Sequence, residues 1–377
     1  MAGSGASGGR GVVVVGLGAA GASLAWRLAG SGVPLRVVEA PAGSGRRTQP
    51  RTWCTWGAAG PGPFGHLVSA EWPRVRLVSE GGDGVAAHLG GWRYRMLSSE
   101  DLDAAVRDRL RAVGSVVEES VVDDPAELRE PGWTVVDTRP VPVPRTGRTL
   151  LLQHFLGRRV RSERPVFDAS TATLMDFRVP QPAGGVAFGY VLPTSAHDAL
   201  VEYTLFSASV LTRGQYEQGL RDYLRRSGIG EVEVLGEEQG VIPMTDAGFP
   251  PSPVPGVLRW GAASGSVRPS TGYAFSALQR QADVLAERAR AGEPLVLPPA
   301  HRRRHLLMDS LVLEALARGR LDGPGFFTGL FARNPVHRVL GFLDGGTGPA
   351  DDLRLMASSP RGPMLRTVLG RALPVRR

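Results

Sequence analysis

The first apolar run of the chain, Val12 to Val15, is four β-branched residues without a polar interruption. That pattern predicts a strand buried on both faces. Behind it come Gly16-Leu17-Gly18-Ala19-Ala20-Gly21, a helical stretch to Leu28, a second apolar strand from Leu35 to Val38, and then Glu39. Strand, Gly-x-Gly-x-x-Gly, helix, strand and acid in that order predict a Rossmann-type dinucleotide site. Gly16 makes the tight turn, and Gly18 lets a pyrophosphate approach the backbone where Ala19 and Ala20 open the helix. Gly21 lets that helix pack close to the sheet. Glu39 lies 23 residues beyond Gly16, in range of a ribose hydroxyl.

Further along, Leu102 to Val113 has the spacing of an amphipathic helix. Val116 to Val122 and Trp133 to Asp137 pattern as strands, and loops rich in Pro and Arg follow. Val166–Phe167, Thr173 to Val179, Val186 to Leu192 and Leu200 to Phe206 predict a second, mostly antiparallel sheet. Its last two strands are joined by the hairpin-length PTSAHDA. Tyr216 to Ser227 is helical in pattern. Val257 to Gly261 is a short strand, followed by GAASGSVRPSTGYAFSALQRQA, in which Gly272 is expected to open a helix running through Ala286. A second glycine-rich strand-to-helix element, far from the first, is what a flavin needs: one site for the adenine dinucleotide, another to close over the isoalloxazine. The candidates there are Gly261, Pro269, Thr271, Gly272 and Tyr273. Leu306 to Ala317 and Phe326 to Phe331 are helix-like and apolar on most sides, more than a surface helix requires.

The fold expected is α/β: a Rossmann-type FAD-binding lobe, a mostly antiparallel substrate lobe and C-terminal helices. The FAD lobe is expected over residues 1–75, 95–165 and 240–300, and the substrate lobe over 76–94 and 166–239. Residues 301–377 would cover the substrate site or contact a membrane.

One strand departs from the apolar pattern. In LVEYTLF, alternation puts Val201, Tyr203 and Leu205 on one face and Leu200, Glu202, Thr204 and Phe206 on the other. Neither is a solvent face, so Glu202 points into apolar surroundings, either as a paired structural acid or as a proton donor.

Composition narrows the classes. The 377 residues suit one large two-lobed unit, and the single Cys54 rules out an internal disulfide and fits a reducing cytosol. The net charge of +8 is carried by arginine, with no basic segment interleaved with aromatics, so nucleic acid is not an expected partner. An anionic membrane face or a phosphorylated ligand would suit that charge equally. The N-terminal MAGSGASGGRG has no apolar signal core, and Gly11 to Trp26 is too short and glycine-rich to span a bilayer. A cytoplasmic protein, soluble or peripheral to a membrane, is expected. His154 and His197 lack metal-ligand partners at a useful spacing, and no metal is expected. Cys54 is read as a small packing residue, and Asp176 with Arg178 as a same-face pair ordering a strand. Asp246 belongs to a loop near the flavin, where turn duty is an equal alternative.

The chain resembles the bacterial lycopene β-cyclases, within the flavoproteins that share the aromatic-hydroxylase fold. The likeness runs nearly end to end, through GLGAAG, RTWCTW, YRMLSSEDL, LLQHFLG, VFDASTATLMDFRVPQ, YVLPTSAHDALVEYTLFS, GVIPMTD and SVRPSTGYAFSALQRQA. It implies non-covalent FAD that is active when reduced, NAD(P)H as the reductant, and closure of ionone rings on a linear carotenoid without net redox change. The essential acid falls on Glu202, which burial would keep un-ionised. Candidates to line the substrate and stabilise a carbocation are Trp53, Trp56, Tyr190, Tyr203 and Phe206. Reduced flavin would then act through its charge or as an acid–base group. One departure is Thr55, where the family's aromatic motif carries Phe. It keeps a smaller prenylated substrate open, beside a monooxygenase or prenyl reductase on the same fold. The tail's Phe326, Phe327, Leu330 and Phe331 beside Arg318, Arg320 and Arg333 would either meet a bilayer or pack over the substrate lobe.

Overall fold

A computed structural model describes residues 10–372 apart from positions 48, 144–146, 148 and 253; residues 1–9 of the Gly/Ser-rich tail lie outside the described residues. In chain order the first strands are β1 (Gly11–Val15), β2 (Leu35–Glu39), β3 (Thr52–Gly57), β4 (Val68–Trp72), β5 (Arg74–Val78), β6 (Gly84–His88), β7 (Arg93–Ser98) and β8 (Val117–Glu119). They are followed by β9 (Trp133–Asp137), β10 (Leu150–Arg161), β11 (Thr171–Asp176), β12 (Val186–Pro193), β13 (Asp198–Ser207), β14 (Glu233–Thr245) and β15 (Val257–Arg259). The helices are α1 (Ala19–Leu28), α2 (Ser99–Ala112), α3 (Arg213–Arg226), α4 (Phe275–Arg290), α5 (Arg303–Ala317), α6 (Gly323–Arg333), α7 (Val336–Leu343), α8 (Pro349–Ser358) and α9 (Arg361–Ala372).

Every residue of β1 is buried, as its unbroken apolar run requires. β1 sits at the centre of a parallel sheet of order β15-β9-β1-β2-β8. On one face of that sheet Val12, Val14 and Val37 pack with Leu24, Leu102 and Leu278 of α1, α2 and α4. α2 starts where the Ser98 side chain accepts from the backbone N–H groups of Glu100 and Asp101, and a Thr212–Gln215 capping box starts α3.

The second sheet has seven strands in the order β14-β10-β13-β12-β11-β5-β6, antiparallel except where β11 meets β5. α3 covers one face, burying Tyr216, Leu220 and Tyr223 against Leu156, Val201, Tyr203 and Leu205. The other face carries Leu200, Phe188 and Phe206 into a core shared with Trp72, Tyr94, Leu313 of α5 and the phenylalanines of α6. A three-stranded sheet of order β3-β7-β4 bridges the two lobes. No helix among the described residues is long and apolar enough to cross a membrane.

Two expectations change, and for the tail phenylalanines the packing alternative holds. Val166–Phe167 forms no strand: it follows Pro165, which has no N–H for a ladder, and Phe167 bonds singly to Ala196. The expected lobe boundaries at 165 and 240 cut through one sheet, because β10 pairs along its length with β13 and β14. β10 reads as loop because Arg158 and Arg159 break its alternation; Arg158 reaches Glu237 at 3.2 Å and Arg159 is solvent-facing. Finally, Phe326, Phe327 and Phe331 are buried at 6–8% exposure, with Phe327 stacked on Phe177. α6 therefore packs over the sheet and does not present these rings to a bilayer.

Candidate active site

The nucleotide end is built by backbone. Gly16 has φ +94°, and a Cβ on Gly21 would fall 1.8 Å from the Gly16 carbonyl oxygen, so the helix-to-strand approach needs glycine at both. Open space surrounds the Cβ direction of Gly18, and α1 begins there with no side-chain cap and no acid in its first turn. Its free N–H groups suit a pyrophosphate. Glu39 lies at the end of β2, where one carboxylate oxygen accepts from Leu17 N–H and the other from Ala40 N–H at 2.8 Å. The second glycine-rich element meets the first directly: a Cβ on Gly261 would touch Ala20 at 3.4 Å.

From there the chain turns through buried Pro269, with Gly272 N–H donating to the Arg268 carbonyl at 3.0 Å. Gly272 has φ +69°, and a Cβ there would stand 2.0 Å from Gln153 Oε1. α4 begins at Phe275 rather than Gly272, again uncapped and without an acid in its first turn. Gln153 Oε1 and Thr271 Oγ1 are buried without a protein partner. Two uncapped helix starts, glycines where side chains would block the approach, and unsatisfied polar atoms between them fit a flavin dinucleotide lying from Gly18 to Gly272. Tyr273 flanks that end, stacked on Trp56 with ring centroids 4.2 Å apart.

The carboxyl end is built by sheet register. Glu202 is 7% exposed and accepts from Thr204 Oγ1 at 3.1 Å. Its neighbour on β12 is Tyr190, whose hydroxyl lies 3.1 Å from Cys54 Sγ and 2.8 Å from Tyr94 OH. Trp56 lies parallel to Tyr94 at 5.7 Å and donates from Nε1 to the Leu340 carbonyl at 2.8 Å. Phe206 is on the same face, edge-on to Phe188 at 5.3 Å. On the other side of Glu202, across Gly157 of β10, is a second acid, Glu238 of β14. Thr52 Oγ1 donates to Glu238 Oε2 at 2.8 Å. Burial, and then the charge of Glu238, hold the Glu202 carboxyl well above the usual range. Burial also raises Glu238, opposed by the Thr52 hydroxyl. Burial pushes the Cys54 thiol up to about 12, which fits a packing residue and not a nucleophile.

Gln153 and Gly157 lie four residues apart on one face of β10, about 13 Å along the strand. The flavin-side atoms and the carboxyl pair therefore share one side of one sheet.

Two expected lining residues are elsewhere. Tyr203 faces α3, where a Cβ on Gly219 would strike its ring at 2.2 Å, because strand alternation puts it opposite Glu202. Trp53 is on the far side of β3 from Cys54 and Trp56, stacked on Phe275 at 6.0 Å. Thr55 shares that side, its hydroxyl 3.5 Å from Ser276 Oγ, so the missing aromatic ring is not on the Glu202 side. Asp176 and Arg178 form the expected pair at 2.6 Å, joined by Tyr223 OH. Asp246 takes the turn role, accepting from Thr149 N–H at 2.9 Å. His154 is buried between Ser207 and Tyr216 hydroxyls. Among the described residues, no group of three or more His, Cys, Asp or Glu side chains could hold a metal ion.

Sequence reasoning missed Thr52, Gln153, Gly157 and Glu238. The only signals were a glycine inside a strand and an acid pair, Glu237-Glu238, in an alternating stretch.

Solved structures share the fold over nearly the whole chain. A geranylgeranyl bacteriochlorophyll reductase-like protein from Thermoplasma acidophilum matches with TM-score 0.62 at 14% identity, covering 96% of this chain and 99% of that one. A flavoprotein/dehydrogenase from Cytophaga hutchinsonii matches with TM-score 0.59 at 14% identity and the same coverage of 96% and 99%. The flavin-dependent brominase Bmp2 matches with TM-score 0.58 at 15% identity, covering 92% and 98%. No curated protein matches the sequence. The family model described as lycopene cyclase protein matches residues 11–369, and with that match spanning both glycine-rich elements and the carboxyl pair, the chain belongs to the lycopene cyclase family.

Proposed function

We propose that this protein is an FAD-dependent cyclase of a linear terpenoid, with lycopene as the substrate that fits best, and that Glu202 supplies the proton. The observation carrying this reading is a buried carboxyl on the side of the sheet that carries Tyr190 and Phe206, where burial holds it well above the usual range. A carboxylic acid kept neutral in a dry site can protonate an alkene.

The Glu202 proton forms a C–H bond at one alkene carbon, and the π pair of that double bond is used in doing so. A neighbouring double bond attacks the resulting cation and closes the ring. A ring proton then leaves to the carboxylate, which restores the acid, so the product is an isomer. Leu200 and Phe206 exclude water from the cation. Tyr190, Tyr94 and Trp56 are the aromatic rings grouped on that side, and a ring face is worth about 0.5–2 kcal/mol to a nearby cation. Residues 16–21, Glu39, Gly261, Gln153 and 269–273 would hold FAD, which when reduced by NAD(P)H would supply negative charge to the same side of the sheet as Glu202.

For a substrate drawn from a bilayer, the exposed Leu353, Met356, Leu365, Val368 and Leu369 of α8 and α9, beside Arg354, Arg361 and Arg366, form the contacting face. Replacing Leu365 and Leu369 by Glu should abolish co-sedimentation with anionic liposomes; unchanged binding would remove that face from consideration.

The fold is shared with a reductase-like protein, a dehydrogenase and a brominase, so stoichiometry decides between reactions. Expression in a lycopene-accumulating host should give pigment of unchanged mass and shortened conjugation, with no NAD(P)H consumed per ring. A product changed in mass, with NAD(P)H consumed in proportion, would assign the protein to redox chemistry instead.

A further inference from the structure

β10 lies between β13 and β14, and Gly157 is the residue opposite Glu202 on one side and Glu238 on the other. Strands two apart in a sheet are separated by roughly 9.5 Å, too far for two carboxyls that project straight out. Here both lean inward: a Cβ on residue 157 would stand 2.9 Å from Glu202 Cγ and 3.1 Å from Glu238 Cγ. Only glycine leaves that gap for the two carboxyls.

We propose that Glu202 and Glu238 share a single proton across Gly157, with the proton on Glu202 and the negative charge on Glu238. The catalytic consequence rests on reading Glu202 as the donor; the pair itself does not.

The surroundings differ in the required sense. Glu238 accepts from Thr52 Oγ1 and lies in the field of two cations, Arg159 of β10 and Arg51 just before β3. Its Oε1 is buried without another partner, which leaves it free to accept from a protonated Glu202. Around Glu202 the titratable groups are the neutral Cys54 of β3, Tyr94 of β7 and Tyr190 of β12, with Thr204 donating from its own strand. Two carboxylates this close cannot both ionise cheaply, so one proton stays, on the side without cations. Glu238 is thus a positioning residue that keeps Glu202 charged with its proton near neutral pH. When Glu202 protonates an alkene carbon, the pair briefly carries both negative charges beside the new cation. The proton lost from the ring restores the original count.

Infrared titration of the FAD-loaded enzyme tests this. The carbonyl band of a protonated carboxyl should persist through neutral pH and vanish in Glu202→Gln. In Glu238→Gln, with flavin absorbance retained, that band should titrate about one pH unit or more lower, and activity above the wild-type midpoint should fall about tenfold. Gly157→Ala, which parts the two side chains, should shift the band in the same direction if Glu238→Gln does not fold. A band that titrates unmoved in the folded variants overturns the shared proton. A band that moves while the alkaline limb of the rate profile stays fixed upholds the pair and removes Glu202 as the donor.

Discussion

The nucleotide end and the carboxyl end of this molecule are made by different means. The first is set by neighbours in sequence: Gly16, Gly18 and Gly21 fall between one strand and the next, Glu39 ends the second, and it is the backbone that shapes the loop. The second is set by neighbours in register: Thr52, Gly157, Glu202 and Glu238 come from four strands spread over residues 52–238. A motif survives as a string, whereas a cross-strand cluster exists only once the sheet is paired.

The largest effect separating the two should come from Gly21→Val. Its side chain has no room beside the Gly16 carbonyl, so α1 must move and flavin binding should be lost, with the protein purifying colourless. Circular dichroism should still show a folded substrate sheet, because α3 and the seven strands have their own core. A yellow Gly21→Val protein would mean that FAD does not lie on this loop.

How much was legible follows the same division. Both glycine elements, the acid ending β2 and the burial of Glu202 were readable, because each depends on spacing along one segment. Glu238 was not, because GEEQG is polar in string form and its strand is recognised only beside β10, whose own alternation is broken by Arg158 and Arg159. Tyr203 is a lining candidate by its place beside Glu202 in the string, although alternation puts the two side chains on opposite faces, and the sheet keeps Tyr203 under α3.

Glu202→Gln should have the next largest effect, and in two opposite senses. Loss of a general acid should lower turnover about 10²–10⁴-fold while FAD binding remains. Stability should move the other way. A carboxyl whose folded pKa is raised binds its proton more tightly folded than unfolded, so stability falls as pH rises from the unfolded value towards the folded one. Glutamine removes that loss. The variant's Tm should therefore exceed wild type by a few degrees near neutral pH, and the gap should close below the ordinary glutamate pKa, about 4.3. A variant that is less stable at every pH would identify Glu202 as a paired structural acid.

The smallest effect sharpens the comparison between the two faces of the paired strands β12 and β13. Tyr190, partly buried on β12, and Tyr203, buried on β13, are tyrosines of one sheet, yet only Tyr190 shares a hydrogen-bonded chain with Cys54 and Tyr94 beside Glu202. Removing its hydroxyl as Tyr190→Phe keeps the ring face for a cation but leaves Tyr94 and Cys54 without that partner. The cost should be about 1 kcal/mol, seen as a few-fold loss of turnover. Tyr203→Phe alters the packing under α3, where its ring covers Gly219, and turnover should not change. Both substitutions delete one oxygen from one sheet, so the difference in kcat reports which face the substrate uses. Equal losses in the two variants would mean that these two tyrosines contribute to turnover only through the stability of their sheet.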